Sequence, residues 1–401
     1  LKSKSKSNYL NVSSYLFILI LLFAPFSALR VSFFGIPEVA TIMLFLLMIL
    51  RKRMSISHNL FSVFWSIFIF FTFIGFINNY IIKNHISGTL ETALVDIYAY
   101  IFVLFTVITL NSFFKDKSSS FLLSSLKKIY VLSSTLLILL YLYANFVSTS
   151  LFGTSLLYYN SFRPFATNIH HISMFIAPLP FIGTKFLIQA KSRIIKLFYL
   201  STAIFLVYIA LETNSTKVEL ALIVGVIVLF ISTMVNFIPS KQLKIILFLF
   251  FAILSTFSIF IYRDSISNFV VDFFIENDIS SVRTYIYRSS IDKILASPIF
   301  GYGPGPHSVF ISENYYLDAH QTLFTIALQG GAFALLTFII FTYKLVLKYK
   351  NDLIFLSAFS TILVYALGGD IMRRSSVWVL LLLLYYILKP ARLSYAKKGV
   401  T

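Results

Sequence analysis

The 401-residue chain is 58% hydrophobic and only 12% charged, with a mean hydropathy of +0.87, whereas soluble domains lie near about 45–50% and about 25%; a water-facing fold is excluded, and lipid is its solvent. The net charge of +18 falls in short clusters between apolar runs, as in Arg51-Lys52-Arg53 and Lys127-Lys128, which is the pattern of topology signals and argues against nucleic acid as a partner. Without a single cysteine, disulfides, thiolate nucleophiles and zinc–sulfur sites are ruled out, and the six histidines are the side chains that titrate near neutrality.

In chain order, Lys2, Lys4 and Lys6 precede an apolar run from Tyr9. No small-residue cleavage site follows, so the run reads as a retained first helix rather than a leader. A hydrocarbon core about 30 Å thick takes roughly 20 apolar residues per helix. Segments of that kind are expected at 9–29, 32–50, 60–80, 93–110, 129–148, 165–188, 195–212, 217–237, 243–262, 320–343, 353–369 and 375–388. The expected fold is all-α, a polytopic membrane protein of about 12 transmembrane helices, with residues 1–401 forming a single integral membrane domain. Within it, 263–319 forms one long outer loop, and its stretch 281–296 reads as an amphipathic helix ended by Ser297-Pro298 and Gly301-Tyr302-Gly303-Pro304-Gly305-Pro306. A loop of that length is more often functional than a connector.

Orientation follows from counting. If both termini and every second loop are cytoplasmic, that side collects 23 of the 33 basic residues, with at least two in each segment. The other ten are Arg30, Lys83, Arg163, Lys217, Arg263, Arg283, Arg288, Lys293, Arg373 and Arg374. Cations on that side run against the insertion preference, so they more often have a task.

Four residues are candidates for chemistry. His320 closes the long loop and opens the tenth span; at the water–membrane boundary it is either a polar helix end or a general base. Arg283 lies on the loop helix, with Tyr287 four residues on along the same face, while Arg288 and Asp292 are spaced for a structural i,i+4 pair. Arg163, before Pro164, is expected at the mouth of the sixth span at a helix N-terminus that favours anions, with His170 and His171 two turns deeper. Lys217 opens the eighth span and is either an anion contact or a partner for Glu212 or Glu219. A site for an anionic, lipid-linked substrate accounts for these groups together, since arginine pairs bidentately with phosphate oxygens and a near-neutral histidine can take a proton from an attacking hydroxyl.

The order Ser281-Val282-Arg283, Ile291 to Pro298, Gly301-Tyr302-Gly303 and then His320 resembles the O-antigen ligase and O-antigen polymerase superfamily of bacterial envelope transferases. His320 followed after ten residues by Gly331 is similar to an element of the ligases. The chain has His320-Gln321 where the family usually has His-Asn, Gln329 where it has an acid, and Thr213-Asn214-Ser215-Thr216 before Lys217 in place of a T-x-S-R element. The resemblance implies a glycosyltransferase of the inner membrane, with both termini cytoplasmic and a periplasmic active site. It implies transfer of a glycan from an undecaprenyl-diphosphate-linked donor without metal or cofactor. The acceptor is lipid A–core for a ligase or a second undecaprenyl-linked repeat unit for a polymerase, and the histidine–glycine spacing favours the ligase. His320 is then the catalytic base, and Arg283, Arg163 and Lys217 bind the diphosphate. A flippase or other transporter is the reading from a different class; it fits less well, because the central thirds of the expected spans hold almost no charge.

Overall fold

The computed structural model describes residues 2–31, 34–55, 58–82, 90–159, 161–237, 280–305, 307–312, 315–319, 321–350 and 352–388. Among these the protein is a bundle of helices: α1 Lys2–Phe23, α2 Ile36–Leu50, α3 Leu60–Phe76, α4 Leu90–Lys115, α5 Ser119–Phe146, α6 Ile169–Ile176, α7 Leu179–Gln189, α8 Arg193–Leu211 and α9 Thr216–Phe237. They are followed by α10 Ser280–Ala296, α11 Thr322–Tyr349, α12 Leu353–Gly368 and α13 Ser375–Ile387. Among the described residues, seven helical segments are long and apolar enough to cross a bilayer, and four more are apolar but shorter. Helices occupy eleven of the twelve expected positions; the remaining one, 243–262, lies outside the described residues.

The lateral surface confirms the solvent. Ile194, Leu197 and Ile204 of α8 and Phe70 and Phe73 of α3 are more than half exposed, which an aqueous fold would not tolerate in such a band. Inside the helices, Thr106, Thr109 and Ser173 return their hydroxyls to the carbonyls of Phe102, Phe105 and Ile169 at 2.8 Å. Each hydroxyl is thereby satisfied within its own helix, as a lipid environment demands.

Aromatic packing fixes the centre. Phe64 of α3 stacks on Trp378 of α13 (centroids 5.4 Å apart) and on Phe341 of α11 (4.8 Å), and Trp65 meets Trp378 edge-on at 4.8 Å. Such pairs contribute about 0.5–1.5 kcal/mol each beyond their burial, so α3, α11 and α13 form one block.

The two ends of the bundle differ in chemistry. At one end Arg51 donates to Ser13 (3.2 Å), Lys115 to Ser55 (2.9 Å), and Lys185 pairs with Asp352. These are residues of the basic loops. The opposite end carries four short antiparallel hairpins: β1–β2 (Arg30–Val31, Phe34–Gly35), β3–β4 (Ser150–Leu151, Thr154–Ser155), β5–β6 (Leu157–Tyr158, Ser161–Phe162) and β7–β8 (Val309–Ser312, Tyr315–Leu317).

Several local expectations are corrected. The first helix stops at Phe23, ahead of Pro25, and not at 29. The sixth span is two helices, because Pro178 and Pro180 cannot continue α6 and instead start α7. Arg163-Pro164 is not at a helix start. The chain turns at Phe165 (φ 47°), and α6 is capped by Asn168, whose Oδ1 accepts from the His170 amide at 2.9 Å. His170 and His171 therefore sit in the first turn of α6 rather than two turns deeper. Arg288 and Asp292 form no ion pair among the described residues; both face solvent, where an isolated pair gains little.

Candidate active site

The Gly301-Tyr302-Gly303 turn is held by a break in α11. At Gly331 the backbone takes φ 67° and ψ −166°, a combination that only glycine adopts readily. The break frees helical hydrogen-bonding groups, and the turn fills them: the Tyr302 and Gly303 amides donate to the Leu328 and Gln329 carbonyls at 2.6 and 3.0 Å, while the Ala332 amide donates to the Pro298 carbonyl at 2.8 Å. A Cβ at Gly331 would lie 2.0 Å from the Ile299 carbonyl oxygen. The turn and the helix thus complete one hydrogen-bond ladder.

The loop helix is tied to the same block. Tyr287 of α10 meets Phe324 of α11 edge-on at 5.5 Å, Ser290 bonds the Ser308 hydroxyl at 2.9 Å, and the Tyr302 hydroxyl donates to the Lys293 carbonyl at 3.0 Å. His307 is buried and bonds the Gly303 carbonyl at 2.8 Å. A carbonyl only accepts, so Nε2 carries the proton; burial pushes the imidazole pKa down to about 4.

A second tie runs through Arg373, in the loop between α12 and α13. Its guanidinium reaches Asp96 of α4 at 2.8 Å, Asp318 at 2.5 Å and Asp370 at 3.7 Å. Asp96 also accepts from the Gly305 amide and from Gln329 Nε2, both at 3.0 Å, and Tyr100 donates to Gln329 Oε1 at 2.6 Å. Burial pulls the Arg373 pKa down, but the carboxylates of Asp96, Asp318 and Asp370 outweigh it and hold the guanidinium charged. Just beyond, Thr322 donates from its amide (3.1 Å) and hydroxyl (2.7 Å) to the Gly369 carbonyl, and the Ile371 amide donates back to that hydroxyl at 3.1 Å. Residues 318 and 322, on either side of position 320, are therefore both fastened to the α12–α13 loop. His320 itself lies outside the described residues.

The remaining cations at this end come from three loops knitted together. The Ala28 amide donates to the Phe165 carbonyl at 2.8 Å, and the Phe162 amide to the Glu212 carbonyl at 2.9 Å. Asn214 donates to Ser161 at 3.2 Å. Arg163 lies over the Tyr158 ring at 4.2 Å and donates to the Thr167 carbonyl at 3.1 Å, while its buried Nε has no hydrogen-bond partner among the described residues. Thr167 bonds Ser27, and Ser27 bonds His171 Nδ1 at 2.5 Å; His170 Nδ1 bonds Tyr365 at 2.7 Å. Arg30 pairs with Glu38 at 2.8 Å. Lys217 is buried in the first turn of α9 with its stem alongside Gly368, so it borders the α12–α13 loop that carries Arg373.

Of the four expected site residues, Arg163 stands at this end on a loop bonded to the one that leads into α9, Lys217 lies in the first turn of α9, Arg283 lies on α10 one turn before Tyr287, and His320 is outside the described residues. Sequence reasoning passed over Asp96, placed Arg373 only among the ten outer cations, and noted Gln329 only as standing where the family has an acid. The available signals were an aspartate inside an otherwise apolar span and two adjacent arginines on the side that disfavours them. Among the described residues no three His, Asp or Glu side chains converge as a metal site requires.

A comparison with known families matches residues 201–339 to the family model described as O-Antigen ligase. The matched stretch runs from α8 through the break in α11 and includes Lys217, Arg283, the glycine turn and Gly331; Arg163 and Arg373 lie outside it. No curated protein matches the chain.

Proposed function

We propose that this member of the O-antigen ligase superfamily transfers a polysaccharide from undecaprenyl diphosphate to lipid A–core at the periplasmic face of the inner membrane. The observation that carries the reading is the family match across α10, the glycine turn and α11, the segment in which His320 and Arg283 occur. The gathering of Arg163, Lys217 and Arg374 at one end of the bundle supports it, because a diphosphate headgroup at the bilayer surface needs cations at that depth; Arg30 and Arg373 beside them are paired with carboxylates.

In this reaction His320 takes the proton from the acceptor hydroxyl, whose oxygen attacks the anomeric carbon of the donor sugar. The bond from that carbon to the diphosphate oxygen breaks, and undecaprenyl diphosphate leaves as an anion. Arg283, Arg163 and Lys217 hold the diphosphate and stabilise the charge that develops on it. Arg373 serves the base indirectly, by fastening Asp318 two residues ahead of it.

Purified protein given a defined undecaprenyl-diphosphate glycan and lipid A–core tests this directly. Replacing His320 with Ala should lower transfer by roughly 10²–10⁴-fold, the usual worth of a general base, with membrane insertion unchanged. Wild-type activity in that variant would rule out the base. A second acceptor, an undecaprenyl-linked repeat unit, separates ligase from polymerase. In a deletion strain, loss of every core-linked repeat marks a ligase, and core bearing a single repeat marks a polymerase.

A further inference from the structure

The stretch between Lys128 and Arg163 is notable for what it omits: residues 129–162 include no acidic, basic or histidine side chain. Most of that run is α5 itself, but from Val147 on it is loop and hairpin. Serine and threonine alternate there with Leu, Phe and Tyr, a composition suited neither to the hydrocarbon core nor to open water. Both hairpins place an aromatic residue in the turn. β3 and β4 are joined by Phe152-Gly153, at φ 51° and 72°, and β5 and β6 by Tyr159-Asn160, with Tyr159 at φ 46°. Two-residue hairpin turns of this kind take Asn, Asp or Gly most readily, and a bulky residue at positive φ is strained. Both rings nevertheless stand out from the protein, Phe152 being 90% exposed and Tyr159 86%.

The lipid-facing side of α5 leads directly to them. Leu132, Leu139, Leu142 and Phe146 are exposed along one side of that helix, and Phe146, at its last turn, is 81% exposed. From Lys128, toward the basic end, to Phe146 the helix rises about 27 Å, close to the roughly 30 Å of a bilayer's hydrocarbon core. With Lys128 at one boundary, Phe146 reaches the other, and the hairpins begin at the depth of the lipid headgroups.

The hairpins are also fastened to each other and to a cation. The Leu156 amide donates to the Thr149 carbonyl at 2.8 Å, and the Arg163 amide donates to the Leu156 carbonyl at 2.8 Å. Tyr159 meets Tyr158 edge-on with centroids 4.5 Å apart, and the Arg163 guanidinium lies over the Tyr158 ring. Whatever fixes the height of the turns therefore fixes the height of Arg163.

We propose that the two hairpins are an interfacial anchor. Phe152, Tyr158 and Tyr159 are seated in the headgroup region of the outer leaflet, continuing the lipid-facing side of α5, and hold Arg163 at the depth of lipid phosphates. Aromatic rings favour that zone, and a segment without charge enters it without a desolvation penalty for ions. The anchoring stands on these observations alone, whereas the service to Arg163 rests on the donor reading given above.

The test uses the full-length protein in liposomes of phosphatidylethanolamine and phosphatidylglycerol. The chain lacks cysteine, so Phe152→Cys and Tyr159→Cys can each carry one nitroxide, whose relaxation by oxygen and by a water-soluble nickel chelate reports depth. Leu139→Cys, on the exposed side of α5, is the lipid reference, and Ser124→Cys, toward the basic end, is the water reference. Both hairpin labels should favour oxygen over nickel roughly threefold more than Ser124→Cys does, and less than Leu139→Cys does, as an interfacial position requires. Labels that match Ser124→Cys overturn the anchor, and their immobilisation by added lipid-free glycan would mark the turns as a sugar platform instead. The double variant Phe152→Asn, Tyr159→Asn carries a residue that such turns favour, so folding is retained. Its KM for the undecaprenyl-diphosphate glycan should rise roughly three- to tenfold in liposomes as interfacial contact is lost, with kcat changed less. An unchanged KM overturns the service to Arg163. Absence of transfer by the wild type sinks the donor reading and that service with it, and the label depths still decide the anchor.

Discussion

At the residue scale, the long loop holds two histidines, His307 and His320, and the proposed catalytic role falls on the second alone. His307 is a packing element: its Nε2–H is committed to Gly303 and its ring is buried. Folded, it stays neutral down to about pH 4; unfolded, it takes up a proton near its ordinary 6.5. Between those values the unfolded chain binds more protons, so this contribution to stability is complete above about pH 6.5 and shrinks as pH falls toward 4. Thermal midpoints in detergent at pH 7 and pH 5 should differ more for the wild type than for His307→Gln, and equal differences would refute the account. His320, outside the described residues, stood out in the sequence as ambiguous, a polar helix end or a base, and only the family resemblance favoured the base. Asp96 did not stand out, because its meaning depends on Arg373, 277 positions away, and no spacing rule spans such a separation.

At the element scale, legibility followed chemistry that acts locally. Long apolar runs bounded by lysines announce helices, and α3, α9 and α12 fall where hydropathy put them, whereas α5 begins at Ser119 rather than 129 and α11 runs on to Tyr349 rather than 343. The loop helix 281–296 appeared as Ser280–Ala296, stopped where Ser297-Pro298 ends it. The four hairpins were invisible, since strands of two to four residues carry too little pattern to read. The break in α11 was half legible: Gly331 was noted for its spacing from His320, but not as the point where the helix yields its hydrogen bonds to the turn. Gly331→Ala should therefore be far more damaging than an ordinary helical Gly→Ala change, which is mildly stabilising. The strained backbone alone costs about 1–3 kcal/mol, and the new methyl must displace the Ile299 carbonyl. A lowered Tm with lost transfer is expected, and a stabilised variant would contradict the geometry.

At the scale of the whole molecule, the proposed function depends on which end of the bundle faces the cytoplasm. The chain has no cysteine, so a single introduced thiol reports sidedness without background. Ser124, in the second turn of α5, and Ser150, just beyond its other end, are both exposed. A membrane-impermeant maleimide applied to cells with a permeabilised outer membrane should label Ser150→Cys at once and Ser124→Cys only after lysis. The reverse order would invert the topology and move the proposed site to the cytoplasm. The ladder shared by the turn and α11 also has a kinetic corollary. The amides of Tyr302, Gly303 and Ala332 all depend on the break at Gly331 staying closed, so none can meet water while the others remain bonded. In hydrogen exchange they should open together at one rate, so that a loop and a buried helix share one protection factor.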